Sequence, residues 1–218
     1  MKEVIPTLAA IALALPGVGA PLPAQSAVVA KPRIVNSWIP FGPIRKRQTA
    51  AYALRHYGKR TNALAPHVLV EHWTQTYDYA SAYNTFAPDR PDPELGELPG
   101  TCAHFIVERN GTIHQLVPLR YICRHTVGLN DRAIGVENVG MSDSQVMGNH
   151  RQLTATLKLA HWIRCTYNIQ TRDIIGHNES LRSRFHHERV RWLRTQTHDD
   201  MRRSTMNRFR KLVARQPC

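Results

Sequence analysis

Two short apolar runs, each ending in a histidine, constrain the fold of this chain more than any other feature. The first is Val68-Leu69-Val70-Glu71-His72 and the second is Asp173-Ile174-Ile175-Gly176-His177. Apolar runs of this length are typical of buried strands. Functional side chains in mixed sheets collect at the carboxyl ends of strands, so we expect both imidazoles to lie in a site there.

A third segment, Gln196-Thr197-His198-Asp199-Asp200, follows closely and supplies carboxylates. Two imidazoles and one carboxylate, with a fourth position left for water, are the ligand set of a catalytic zinc site. A single histidine after an apolar run is more often a packed or surface residue, and the chain contains 12 histidines. The pattern alone therefore leaves both interpretations open.

The remaining periodicity predicts one α/β domain with a central mixed β-sheet flanked by helices. Asn110-Gly111 between two alternating runs is typical of a β-hairpin turn. We expect strands over 68–71, 103–108, 112–117, 132–139 and 173–176. We expect helices over 47–57 and 153–167, a basic helix within 201–212, and a long loop over 77–99.

An ordered series of short motifs resembles the zinc-dependent N-acetylmuramoyl-L-alanine amidases, which include phage lysozyme-type amidases and peptidoglycan recognition proteins. The series begins with His72-Trp73-Thr74 and ends with Ile175-Gly176-His177-Asn178-Glu179. Between them, further matches lie at 103–107, 110–113, 115–118, 124–128 and 130–137. An ordered set of this length is far more specific than one short motif.

The resemblance implies hydrolysis, by zinc-activated water, of the amide that joins N-acetylmuramic acid to L-alanine of the peptidoglycan stem. It implies His72 and His177 as zinc ligands, with Asp200 as the third ligand and Asp199 as the competing choice. Glu137 matches the family's acidic residue, which could take a proton from the attacking water. His198 stands where many relatives carry a lysine that helps to stabilise developing charge.

Three further residues are expected to contact substrate: His125, Tyr83 and Asn130. His125 occupies the family's Trp-His-x-Gly position, with Arg124 in place of the tryptophan, and a structural role is the alternative for it. Tyr83 belongs to an aromatic segment for which core packing is the alternative. The alternative function is non-catalytic peptidoglycan recognition, but such members typically lack the third ligand.

The N-terminus predicts a signal peptide over 1–26, with Ala24-Gln25-Ser26 as the cleavage site. The apolar stretch is too short and too broken by proline and glycine to predict a membrane span. We therefore expect an N-terminal arm and helix over 27–60 and a zinc amidase domain with the basic helix over 61–218. Export to the periplasm or the cell exterior follows from this interpretation.

The formal net charge of +13 favours an anionic partner. For an exported protein, anionic cell-wall polymers and peptidoglycan fragments fit this charge better than nucleic acid, for which no recognition motif is present. We expect a monomer without a stable membrane span. Cys102 and Cys123 flank the predicted hairpin, which favours a disulfide between them.

Overall fold

Six strands form one mixed sheet, and their order places the two histidine-bearing strands at one side of it. The strands are β1 (Val35–Asn36), β2 (Val68–Trp73), β3 (Phe105–Val107), β4 (Ile113–Gln115), β5 (Ala133–Asn138) and β6 (Ile174–Gly176). Their order is β1-β4-β3-β5-β2-β6, with β3 and β4 antiparallel and the other pairs parallel. This computed structural model describes Met1 and residues 29–218.

Residues 29–218 contain five α-helices. They are α1 (Pro43–Tyr57), α2 (Tyr79–Phe86), α3 (Asp143–Gly148), α4 (His150–Tyr167) and α5 (Arg203–Val213). Pro43 suits the first turn of α1 because it has no N–H to satisfy there. Gly58 ends α1 in the left-handed conformation, with φ of 77°. These local rules explain both ends of α1.

Alternating side chains along β2 and β5 enter two separate apolar layers. Leu69 and Ile134 are buried in the layer that contains Leu159 of α4 and Phe209 of α5. Val68, Val70 and Ala133 are buried in a different layer with Leu129 and Ile175. His72 and Glu137 continue this second set along their strands. They therefore face away from α4 and α5.

The single α/β domain with a mixed sheet is confirmed, although several element boundaries differ from expectation. The hairpin strands are shorter than predicted, and α1 begins at Pro43 instead of residue 47. The expected loop over 77–99 is wrong in part, because it contains α2. The side chain of Asp78 accepts a hydrogen bond from the backbone N–H of Ser81 and caps that helix.

Disulfides join the expected pair Cys102 and Cys123, and also join Cys165 to Cys218. Within residues 29–218, no helix has the length and apolar character needed to cross a membrane. The predicted signal peptide lies, apart from Met1, outside the described residues.

Candidate active site

Three adjacent parallel strands bring distant parts of the chain to one edge of the sheet. His72 of β2 is paired in register with Glu137 of β5. On the other side of β2, Glu71 is paired with Gly176 of β6, which His177 follows directly. Since all three strands run in the same direction, the side chains of His72, Glu137 and His177 collect at the carboxyl edge.

The two imidazoles converge on one carboxylate. Nδ1 of His72 lies 2.9 Å from Oδ2 of Asp200, and Nδ1 of His177 lies 3.3 Å from Oδ1 of the same residue. All three residues are buried, and one ligand atom from each lies within 4.8 Å of the others. Tetrahedral coordination with bonds of about 2.0 Å places ligand atoms about 3.3 Å apart. The spacing therefore suits a single ion.

A glycine allows Asp200 to reach the imidazoles. A Cβ atom added to Gly176 would lie 1.6 Å from the carbonyl oxygen of Met201, so only glycine allows this close approach. The backbone N–H of Asn178 also donates to the carbonyl of Asp200 at 3.0 Å. Sequence reasoning did not identify Gly176 as functional, although a glycine at the end of a strand is a signal for such an approach.

Asp199, the competing carboxylate, faces outward. Its side chain is 80% exposed and accepts a hydrogen bond from Nδ2 of Asn178 at 3.0 Å. Because Asp200 is buried against both imidazoles, Asp200 is the carboxylate that shares their site.

The second ring nitrogen of His72 has partners within the protein. Nε2 of His72 lies 3.2 Å from Nδ1 of His125 and 3.4 Å from Oγ1 of Thr126. His125 packs over Gly135, where an added Cβ would lie 2.7 Å from its ring. His125 therefore lies behind His72 and orients it. Thr126 was not identified from the sequence, and nothing in its local pattern marks it.

Two other residues expected to contact substrate form hydrogen bonds within the protein, and Asn130 also lines a cleft beside His177. Asn130 is fully buried, and its side-chain oxygen accepts hydrogen bonds from the backbone N–H groups of His125 and Thr126. Tyr83 packs against the apolar cluster beside α2, and its hydroxyl donates to the carbonyl of Trp38. The polar atoms of both residues are thus used within the protein.

Glu137 has a carboxylate oxygen that is available for proton transfer. Its side chain is buried, and Oε2 accepts no hydrogen bond from the residues that the structure describes. Burial raises the pKa of this carboxyl to about 7. Behind His72, the fully buried Glu71 accepts a hydrogen bond from Asn138, which also donates to the carbonyl of His72. These contacts fix the end of β2.

His198 lies at the mouth of the site. Its ring centroid is 4.5 Å from that of His177, and its side chain is 47% exposed. Nε2 of His198 lies 3.0 Å from Oε2 of Glu94, a partner that sequence reasoning missed. A small cleft of about 50 Å³ opens here, and its lining includes His177, His198, Glu94 and Arg124.

The protonation states of the cluster suit a divalent cation. Burial lowers the pKa of His177 to about 4, so its imidazole is neutral at neutral pH. Burial alone would raise the pKa of Asp200, but hydrogen bonds with His177 and His72 hold it well below its usual range. Burial alone would lower the pKa of His72, but its hydrogen bond with Asp200 raises it above the ordinary value. Zinc binds neutral imidazole nitrogens and an ionised carboxylate, so its binding would displace any proton held between His72 and Asp200. The donor set therefore fits that metal.

Together, the fold and the site define an α/β protein with a buried His-His-Asp group, capable of binding a metal, at the carboxyl edge of its sheet. The family model for N-acetylmuramoyl-L-alanine amidase matches residues 62–200. The chain belongs to this amidase family and is a peptidoglycan hydrolase.

Solved structures with the same fold include a mutant endolysin from Bacillus subtilis, which is 16% identical with a TM-score of 0.51 and covers 84% of this chain and 97% of its own. The catalytic domain of XlyA is 18% identical, also with a TM-score of 0.51, over 83% of this chain and 99% of that one. AmiD from E. coli was solved as a complex with the substrate anhydro-N-acetylmuramic acid-L-Ala-D-gamma-Glu-L-Lys. It is 25% identical with a TM-score of 0.41, and the match covers 54% of this chain and 50% of AmiD. No curated protein matches the chain.

Proposed function

We propose that the chain is an exported, zinc-dependent amidase in which His72, His177 and Asp200 hold the metal and Glu137 carries the proton. One observation carries this proposal: Nδ1 atoms of two buried imidazoles face the two oxygens of one buried carboxylate. Next to them, Glu137 is held by the strand pairing with His72.

When bound, zinc polarises a carbonyl and lowers the pKa of water toward ~7. The protein's own contribution is proton transfer and orientation. Glu137 takes a proton from the attacking water at Oε2 and later gives it to the departing nitrogen of the stem peptide. The products are a carboxylate on the lactyl ether of the sugar and a free amine on alanine.

The remaining residues orient the reacting groups. His125 and Thr126 hold the ring of His72, which keeps Nδ1 directed at Asp200. His198 lies at the mouth beside His177 and can donate a hydrogen bond to the carbonyl oxygen as negative charge develops on it. Glu94 restrains the His198 ring on the opposite side.

Export is part of the same proposal. The apolar N-terminus ending in Ala24-Gln25-Ser26 has the pattern of a signal peptide, and peptidoglycan lies outside the cell membrane. Removal of residues 1–26 would leave an arm and helix over 27–60 and the zinc amidase domain over 61–218. The net charge of +13 supports adsorption to anionic wall polymers.

The test is mass spectrometry of purified muropeptides after incubation with zinc-loaded or chelated protein. We expect free stem peptides that begin with alanine, released only by the zinc-loaded protein. Cleavage within the sugar chain, or of peptide cross-links, would contradict the proposal. Binding of muropeptides without release of any stem would instead indicate a recognition protein.

A further inference from the structure

A second and larger groove lies at the opposite side of the sheet from the active site. It has a volume of about 690 Å³, and its lining includes Gln115 of β4 and Trp162 of α4. The sheet order puts β1 and β4 at one edge, whereas β2 and β6 form the other. The groove shares no lining residue with the cleft beside His177.

Aromatic side chains form much of this groove. Trp38 is 46% exposed, so a large part of its ring is accessible to a ligand. Trp162 and Tyr121 contribute further rings, and both are partly exposed. Aromatic faces carry partial negative charge and attract the C–H groups that line one face of a sugar ring.

Three cations complete the groove. The ammonium of Lys31 lies 5.1 Å from the Trp162 ring centroid, and that of Lys46 lies 4.7 Å from the ring centroid of Tyr121. The guanidinium of Arg120 lies 4.8 Å from the Tyr121 ring centroid. None of the three cations forms a salt bridge among the described residues, and the lining contains no acidic residue. The groove therefore offers aromatic rings that can stack on sugar rings and cations that can pair with negative charges on the same ligand.

We infer that this groove binds peptide-free glycan strands, the sugar product of the amidase reaction. The inference rests on the amidase function, because hydrolysis of each amide leaves a lactyl carboxylate on the sugar. Water supplies the oxygen, and the nitrogen leaves with the peptide. A strand stripped of its stems is thus a regular polyanion of sugar rings. Its rings stack on the exposed face of Trp38, while its carboxylates pair with Lys46 and Arg120.

The size of the groove agrees with this ligand. A volume of about 690 Å³ lies within the range of sites that hold ligands of drug size, which a short stretch of glycan matches. Binding of the product at a separate edge would retain the enzyme on wall regions where it has already acted. The active site would remain free for the next stem.

The test measures binding of peptide-free glycan strands prepared with an unrelated amidase, by calorimetry at low and high salt. Trp38→Ala and the double variant Lys46→Glu/Arg120→Glu are each expected to weaken Kd at least about tenfold. Trp192→Ala and Arg208→Glu, at exposed positions outside the groove, are the matched controls and should retain wild-type affinity. Thermal unfolding of each variant checks that it folds. The Lys46→Glu substitution is compatible with α1, because an acidic side chain is favourable in the first turn of a helix and α1 has none there.

A second probe separates charge from sugar stacking. Strands whose carboxylates are converted to neutral amides should bind at least about tenfold more weakly. Equal affinity for these amidated strands, or tighter binding of single-stranded DNA than of the glycan, would overturn the inference. The inference would also be overturned if the wild-type protein were a dimer and the Trp38→Ala variant a monomer. The groove would then bind a second copy of the chain. Because these strands come from another enzyme, failure of this chain to release stem peptides is a separate result.

Discussion

His72 and Glu137 are register partners on neighbouring parallel strands, so their side chains stand next to each other on one face of the sheet. A side chain on a buried strand is held more rigidly than one on a loop. The strand pairing therefore keeps the Glu137 carboxylate beside the proposed metal ligands. This relationship separates the proton-transfer role of Glu137 from metal binding, which His72, His177 and Asp200 would perform.

Replacing Glu137 with glutamine should lower the rate of stem release by about 10²- to 10⁴-fold, the usual value of general acid–base catalysis. Zinc content should stay at the wild-type level, because the metal-binding group is intact. Stem release and atomic absorption are measured on the same preparations. Glu108→Gln, at the hairpin beside His114, is the control and should behave as the wild type. A loss of zinc equal to the loss of rate would contradict the assigned role.

Replacing Asp200 with alanine should abolish stoichiometric zinc and reduce activity by more than about a hundredfold, since even indirect contacts to a metal are worth 10- to 100-fold. Asp199→Ala is the matched control, because its carboxylate is exposed and bonded to Asn178. It should keep both zinc and activity. The reverse result would move the third ligand to Asp199.

Replacing His125 with phenylalanine removes the nitrogen that faces Nε2 of His72 but keeps a ring over Gly135. We expect zinc affinity to fall about 10- to 100-fold, with activity partly recovered at high zinc concentration. Thr126→Ser retains the neighbouring hydroxyl and serves as the control. A drop in zinc-free thermal stability with unchanged zinc affinity would show that His125 has only a packing role.

A buried histidine outside the active site predicts a pH-dependent stability. Nδ1 of His56 lies 2.8 Å from Oε2 of Glu188, and its Nε2 lies 3.2 Å from Oε2 of Glu97. Burial alone would lower the pKa of His56, but hydrogen bonds to Glu188 and Glu97 raise it above its ordinary value. The pKa of Glu97 is lowered, since its hydrogen bond with His56 outweighs the effect of burial.

A histidine whose pKa is raised by folding stabilises the folded state fully at pH values below its pKa in the unfolded chain. The contribution disappears as pH rises through its pKa in the folded state. The lowered pKa of Glu97 stabilises the folded state at pH values above the pKa that Glu97 has in the unfolded chain. This contribution is lost as pH falls through the pKa that Glu97 has in the folded state. We therefore expect His56→Gln to cost about 2 kcal/mol near pH ~5 and less near pH ~9. Thermal unfolding across this range, with the exposed His150→Gln as control, provides the measurement. A cost that grows with pH would contradict the assignment.

The amino-acid sequence by itself determined five of the six strands, the hairpin and the helices α1, α4 and α5, because side-chain periodicity and turn residues act over a few neighbours. It also indicated His72, His177 and Glu137, since each one ends an apolar run and matches an ordered family pattern. The helix α2 was missed because this short aromatic segment depends on a cap at Asp78 and on packing against β3.

Only the tertiary structure decided which groups share the site. Asp199 and Asp200 are neighbours in the chain, and local pattern cannot tell which of them turns inward. That choice depends on the close approach of Met201 to Gly176, which are distant in sequence. The place of His125 behind His72 likewise requires β5 to lie beside β2. Such contacts arise from long-range packing. Local sequence shows that Gly176 permits a close approach, but it does not show which segment makes that approach.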